Sequence, residues 1–571
     1  MYSSTDGAVR EAEHVFIRGN NLETRFKDLS SNSDFLIGEI GFGIGINFLT
    51  TCKYWLKNTK HNQRLEYYSF DKYLFEISHF REVFKGYPEL QQCSKELQNY
   101  YPKNIQGVQK IYLFEGRVTL NLVLGNISEK YNYINTIKNI DAWYFDGFSP
   151  SKNSDLWSRE LFNAVSETCH KDSTFSTYTS SGMVKKNLKD AGLNFNKVEG
   201  FSHKRHMLRG SYTSMQSVNQ SIEQKIAIVG SGITGCLLSY MLAKKGFEVD
   251  LFEQSEDICS EASFHELLVT YPKLSAHDTS YGRFNLQSYL YATYFYESLK
   301  TEAWKKTGVL VLNHDDASNK RQSSLLEKRS DGEIYRYVNS REASEIAGIQ
   351  LKMDGLFYKD AGYIVPREMC KFLTQSQKIN INTSSKVREL KRDGDLISFY
   401  VGEKKYEYQN VCLCSGSDTS KLFELKGFNF KRGQVTHIES NENICNINLP
   451  ICAKGYISPL INNVQVLGSS YSDIDHTAVL DDEHRHNLRN LQLISDEKVK
   501  INSGRVGMRA VSRDHLPFVG EIDGVLINTA HGSRASISAP ISAEIICSLL
   551  TSGAAPLEER EFNSLSPSRF S

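Results

Sequence analysis

Short apolar runs alternate with longer, mixed stretches over residues 34–210. The runs are Phe35–Ile40, Leu65–Phe70, Ile111–Phe114, Ala142–Phe145 and Phe175–Tyr178. Strand-length runs separated by helix-length segments predict an α/β domain with a mainly parallel sheet. Around 211–224 the rhythm dissolves into Ser-Tyr-Thr-Ser-Met-Gln-Ser-Val-Asn-Gln-Ser-Ile-Glu-Gln, which has the composition of a linker. A fresh strand, Lys225–Val229, opens a second α/β pattern whose next strand is Glu248–Phe252. Alternating Tyr, Val and Ile near 300–365 and 430–475 predict an antiparallel sheet inserted into that second domain. The expected layout is one domain over 1–214, a linker over 215–224 and a second domain over 225–571. No internal repeat is visible.

A chain of 571 residues is too long for one ordinary core, in keeping with two or three domains. Its 40% hydrophobic and 23% charged residues are those of a globular protein. No run approaches the roughly 20 apolar residues of a membrane span. The opening Met1-Tyr-Ser-Ser-Thr-Asp-Gly7 has no apolar stretch of the secretory kind, so a cytoplasmic location is expected. The 67 basic and 67 acidic residues cancel, and a nucleic-acid partner would have to rely on a local patch. Of 11 cysteines only Cys412 and Cys414 form a close pair, in a strand-like run that suggests buried packing.

Two glycine-rich loops carry the chemistry. The first, Glu39-Ile-Gly41-Phe-Gly43-Ile-Gly45, places Ile46 where a dinucleotide fingerprint needs its third glycine. It reads instead as E-x-G-x-G-x-G, a strand-end carboxylate followed by a flexible turn. That arrangement suits a ligand without phosphate but with an amino-acid portion, such as S-adenosylmethionine. Asp71, just past the second strand, could accept the ribose hydroxyls; the alternative is an ordinary strand-end aspartate. Asp146 ends another strand, where ligands of such sheets bind, and could face a substrate amine or merely cap the turn at Gly147.

The second loop, Gly230-x-Gly232-x-x-Gly235, meets all three glycine requirements. Glu253 closes the next strand about 20 residues on, where a carboxylate holds an adenosine ribose. FAD is favoured over NAD by the large, interrupted domain that follows.

Four ordered segments of the first half resemble the methyltransferase half of the bacterial bifunctional enzymes of tRNA 5-methylaminomethyl-2-thiouridine biosynthesis. They are Gly41–Leu49, Asp141–Pro150, Thr177–Gly182 and Gly200–Leu208. Gly504–Arg509, Arg513–Gly520 and His531–Arg534 resemble closing motifs of the D-amino-acid-oxidase and glycine-oxidase family. With Arg432–Val435 and Lys454–Tyr456 they also match the oxidoreductase half of the same bifunctional family.

The resemblance implies a tRNA wobble uridine as substrate and FAD and S-adenosylmethionine as cofactor and methyl donor. It implies oxidative removal of a carboxymethyl group, then methylation of the aminomethyl group left behind. Asp146 would orient the amine, and Arg513 or Arg534 would grip the substrate carboxylate unless they serve structural ion pairs. A functional link to the enzymes that install the carboxymethylaminomethyl group follows as an expectation. On their own Lys185, Lys186, Lys189, His203, Lys204, Arg205, His206 and Arg209 read as a solvated face, and the resemblance makes them candidate phosphate contacts.

The chain departs from the family after Glu253. A stretch of approximately A-S-G-N-R-Q-G is replaced by Ala262-Ser-Phe-His-Glu-Leu-Leu268, and Ala535 stands where a glycine is expected. Two other readings therefore stay open: a methyltransferase beside an impaired flavin-domain platform, and a small-molecule amine or amino-acid oxidase fused to a methyltransferase.

Overall fold

A computed structural model describes residues 7–31, 33–212, 224–328, 333–551 and 553–571. The expected linker lies almost wholly outside them. The chain divides into two compact units, one of residues 1–222 with 550–559, the other of 223–549 with 560–571.

The first unit is built on eight strands: β1 (Asp34–Ile40), β2 (Arg64–Asp71), β3 (Gly107–Leu113), β4 (Val118–Leu124), β5 (Ile140–Phe145), β6 (Cys169–Thr177), β7 (Leu193–Glu199) and β8 (His206–Tyr212). Their order in the sheet is β3-β4-β2-β1-β5-β6-β8-β7. The five strands from β4 to β6 run parallel, and antiparallel pairs close both edges. Central strands of a parallel sheet are covered on both faces and read as continuous apolar runs. All seven residues of β4 are buried accordingly. The order reverses around β1, so the ends of β1 and β5 form the crevice in which such sheets bind ligands.

The second unit opens with β9 (Lys225–Val229) and β10 (Glu248–Phe252), both with the ends predicted from sequence. They sit in a six-stranded sheet whose other members are Ile379–Asn382, Val411–Leu413, Val525–Thr529 and Phe518–Ile522. A separate eight-stranded sheet is the expected insertion, antiparallel but for one parallel pair. It draws on strands between Val309 and Gly468 and includes the long pair Phe428–Ile438 and Ile501–Ser512. Cys412 and Cys414 are both buried where the strand Val411–Leu413 ends. Arg432, with a fully enclosed side chain, is spent on structure: it pairs with Glu483 at 3.0 Å and donates to Gln434 and the Ala478 carbonyl.

Candidate active sites

The first loop bends because its glycines adopt conformations closed to other residues. Gly41, Gly43 and Gly45 have φ of 99°, 55° and 85°. A Cβ on Gly41 would stand 2.6 Å from the Asp146 carbonyl oxygen, so the loop packs directly on the end of β5. Gly43 has open space on the side where a Cβ would project. Asp71 accepts the Gly43 and Lys72 amides at 2.8 and 2.7 Å, which fixes a carboxylate at the lip of the loop.

Behind the loop lies a network that the sequence only partly disclosed. One side-chain amide, Asn47 Nδ2, donates to Glu39 Oε1 at 3.0 Å and to Asp146 Oδ2 at 2.7 Å. Ser69 Oγ donates to the other Glu39 oxygen at 2.6 Å. Glu39 is completely buried, and that burial pushes its carboxyl up to about 8 against the lowering effect of Ser69 and Asn47. Asp146 is half-buried at the strand end; enclosure raises it to about 7, again opposed by Asn47. Glu39 thus faces inward and braces the loop through Asn47, while Asp146 is the carboxylate at the crevice. Asn47 lay inside a quoted motif, two residues past Gly45, but nothing in its spacing announced a bridge between two acids.

Around Asp146 the surroundings are aromatic and basic. Tyr178 donates its hydroxyl to the Gly147 carbonyl at 2.8 Å, and Lys204 lies over the Tyr178 ring at 4.1 Å while pairing with Glu11 at 2.7 Å. Trp157 Nε1 pins the Phe148 carbonyl at 2.7 Å, yet the Phe148 residue is 50% exposed. Lys186, Lys189, His203, Arg205, His206 and Arg209 are exposed and Lys185 is partly so.

In the second unit Gly230 has φ of 103°, and a Cβ there would meet the Cys414 carbonyl oxygen at 2.7 Å. At Gly235 a Cβ would fall 1.9 Å from the Gly230 oxygen, so only glycine lets the helix Ile233–Lys244 start this close to β9. Gly232 precedes the first helical residue, whose amide bonds Ser263 Oγ at 3.1 Å. Glu253 is buried and accepts the Ser231 amide and hydroxyl at 3.0 and 2.6 Å and the Ser255 amide at 2.9 Å. A glycine-rich turn at a helix N-terminus, with a strand-end carboxylate beside it, fits a dinucleotide with its pyrophosphate on the turn.

The altered stretch after Ser263 is accommodated locally. The Phe264 ring is stacked between the guanidinium groups of Arg505 (3.9 Å) and Arg367 (4.7 Å), and its carbonyl accepts from Arg505 at 3.0 Å. Glu266 stands 3.1 Å from Arg505 and 3.0 Å from His437. Ala535, at φ −54°, begins the helix Ala535–Leu549 in ordinary helical geometry, so the position makes no demand for glycine.

The two nominated arginines part company. Arg534 enters the interior, lying over the Tyr271 ring at 4.5 Å and donating to the Tyr271 carbonyl at 3.3 Å. Arg513 is exposed, with Phe570 6.0 Å away and its amide bonded to Gly427. The arginine that sequence reasoning passed over is Arg509. It donates to Ser469 Oγ at 2.7 Å and to the Ser470 carbonyl at 3.2 Å, with Tyr456 close enough to act on its charge. Among its hydrogen bonds none is to a carboxylate, which leaves a guanidinium suited to an anionic ligand. Its signal was periodicity, since Arg505, Gly507 and Arg509 share one face of their strand.

Comparison with known proteins gives the class of each unit. Residues 88–213 match the model of an S-adenosyl-L-methionine-dependent methyltransferase family, and residues 225–549 that of the FAD dependent oxidoreductases. The second unit has the fold of glycine oxidase from Geobacillus kaustophilus, with TM-score 0.53 and 18% identity over 60% of this chain and 98% of that one. L-proline dehydrogenase from P. horikoshii gives TM-score 0.52 and 16% identity over 61% and 97%. The molecule is therefore a methyltransferase joined to an FAD-dependent oxidoreductase.

Along its whole length the chain is similar to proteins named tRNA 5-methylaminomethyl-2-thiouridine biosynthesis bifunctional protein MnmC. One from Legionella pneumophila (strain Lens) is 30% identical over 100% of this chain and 95% of its own length. Another, from Methylobacillus flagellatus, is 29% identical over 100% and 93%. The chain belongs to the MnmC family.

Proposed function

We propose that this protein performs both late steps of 5-methylaminomethyl formation on the wobble uridine of tRNA. Its second unit removes the carboxymethyl group from a 5-carboxymethylaminomethyl side chain. Its first unit then methylates the exposed primary amine. The reading rests above all on two differently built glycine loops in one chain, one fitted to a sulfonium donor and one to a dinucleotide.

S-adenosylmethionine, held by the Gly41–Gly45 turn and by Asp71 at its ribose, supplies the methyl group. An ammonium cannot accept that group, so the amine must arrive with its lone pair free and aimed. Asp146 accepts a proton from the amine, and a carboxyl lifted to about 7 is poised for this near neutral pH. Asn47 holds the carboxylate in place, while Lys204 and Tyr178 bound the same end of the sheet.

FAD, held by Gly230, Gly232, Gly235 and Glu253, supplies the hydride acceptor for the amine's carboxymethyl carbon. Arg509 binds the substrate carboxylate, and its Ser469 and Ser470 partners fix its direction. Arg534 lends further positive charge to the same unit. Hydrolysis of the resulting imine releases glyoxylate.

A wobble base must be turned out of its stack to reach either site. The exposed Phe148 ring, two residues beyond Asp146, is placed to stack on it, and Lys185, Lys186, Lys189, Arg205 and Arg209 to meet phosphates. No helix among the described residues is long and apolar enough to cross a membrane. A tRNA substrate places the reaction in the cytoplasm, after the enzymes that install the carboxymethylaminomethyl group.

The decisive variant is Asp146→Ala. Nucleoside analysis of treated tRNA is expected to show arrest at the aminomethyl stage with oxidation intact. Normal methylation in that variant would remove Asp146 from the mechanism.

A further inference from the structure

One half-buried group near Arg509, His265, has no task in the scheme above. In the paired strands Phe428–Ile438 and Ile501–Ser512, Gly433 lies opposite Gly507. A Cβ on Gly433 would collide with the Arg509 guanidinium, and one on Gly507 would stand 3.1 Å from His265 Nε2. The two glycines thus form a floor on which the imidazole of His265 and the guanidinium of Arg509 both rest. His265 Nδ1 is shielded from solvent without a hydrogen-bond partner. A shielded ring nitrogen left without a partner calls for an explanation, and a ligand that reaches this position is one.

The charged and titratable groups facing His265 are Arg509 and Arg505 from the strand below, Glu266 beside it and His437 from the neighbouring strand. Burial, helped by Arg509, holds its imidazole down at about 4, so in the free protein it is neutral. Glu266 is committed to Arg505 and His437, and His437 Nδ1 to Ser503 Oγ at 2.7 Å. Two guanidinium groups, Arg505 and Arg509, thus stand against one carboxylate, Glu266, an excess of cationic side chains suited to a substrate carboxylate.

The proposed substrate carries its secondary ammonium one carbon from its carboxylate. With the carboxylate on Arg509, that nitrogen falls beside the next group on the same floor. We propose that His265 takes the proton from this ammonium, making the amine oxidisable. The N–H bond breaks and its electron pair stays on nitrogen while the proton moves to the imidazole. With FAD bound, the carboxymethyl C–H would leave as hydride, nitrogen and carbon would form the iminium, and water would release glyoxylate and the primary amine. Carboxylate binding offsets the Arg509 charge and so removes one of the effects that hold the imidazole down, second to burial. The inference rests on the oxidation reading and adds a residue that the family pattern does not supply, since His265 stands where that pattern has asparagine.

The test uses full-length, FAD-loaded protein and an anticodon stem-loop carrying 5-carboxymethylaminomethyluridine. Anaerobic bleaching of the flavin would be followed from pH 6 to 10, numbers chosen to span the roughly 6.5 of histidine and the higher range of amines. His265→Gln should bleach on the order of 100-fold more slowly at neutral pH and recover as the substrate amine deprotonates in solution. In carbon-labelled wild type with the flavin already reduced, the His265 signal, identified by its loss in the variant, should titrate at least about one unit higher once the stem-loop binds. Equal rates at every pH, a loss that does not vary with pH, or an unmoved His265 signal would overturn the proposal. A wild-type flavin that never bleaches would overturn the oxidation reading as well. Retained yellow colour in His265→Gln and His265→Ala separates lost chemistry from lost folding.

Discussion

Asn47 spends one side-chain amide on two carboxylates, and the first site depends on that economy of donors. Asn47→Ala would leave Glu39 and Asp146 each short of a bond in a shielded setting. We expect a loss of about 1–3 kcal/mol in thermal stability of the first unit, together with slower methyl transfer. Unchanged denaturation would refute the bracing role. The Glu39 carboxyl carries a sign that can be tested. Unfolded, it releases its proton near 4.5; folded, it keeps that proton up to about 8. The folded state binds more protons across that interval, so stability of the ligand-free unit falls as pH rises from 4.5 to 8. Glu39→Gln should flatten this part of the pH–melting curve. A curve of unchanged slope would show that Glu39 is already ionised. At Asp146 the same logic sets the activity. Methyl transfer should rise through an acid limb near pH 7, and Asp146→Asn should lose both the limb and most of the rate.

At the scale of elements, both loops were legible because glycine spacing records backbone need. A Cβ on Gly235 would fall 1.9 Å from the Gly230 oxygen, and Gly235→Ala should yield colourless protein that fails to retain FAD. Yellow Gly235→Ala protein would contradict the cradle. Strands bounded by a glycine or a charged residue, β9 and β10, were readable to the residue. The strand β4 was passed over because its run follows the turn at Gly116 so closely that the whole β3–β4 hairpin shrank to Ile111–Phe114. The edge strand β7 hides for the opposite reason: four of its seven residues are polar, and only Leu193 is buried. Arg509 escaped because its meaning comes from Gly433 on a strand some 75 residues earlier, a distance that local pattern does not bridge. The bulky 264–268 stretch looked incompatible with a flavin site by size alone, whereas the guanidinium stack on Phe264 depends on tertiary position.

For the whole molecule, the chain order alone does not mark where each unit is completed. Residues 550–559 belong to the first unit, although they follow the helix Ala535–Leu549 of the second and precede its closing residues 560–571. There Ala554 is buried in the core, its amide bonded to Tyr68 Oη at 3.1 Å, and Glu558 pairs with the nearly buried Lys130 at 2.6 Å. Breaking a pair by removing one charge costs more than the pair itself contributes. Glu558→Ala should therefore lower the melting point of the methyltransferase unit while leaving FAD retention in the second unit unchanged. Identical melting in the variant would show the segment to be passive.

The central claim is that one chain carries both reactions at separately built sites. It is tested most directly by mass analysis of nucleosides from tRNA bearing 5-carboxymethylaminomethyluridine, incubated with the purified protein with and without S-adenosylmethionine. Without the methyl donor the product should stop at the aminomethyl nucleoside, and with it the methylaminomethyl nucleoside should appear. A carboxymethylaminomethyl nucleoside left intact in both reactions would contradict the account.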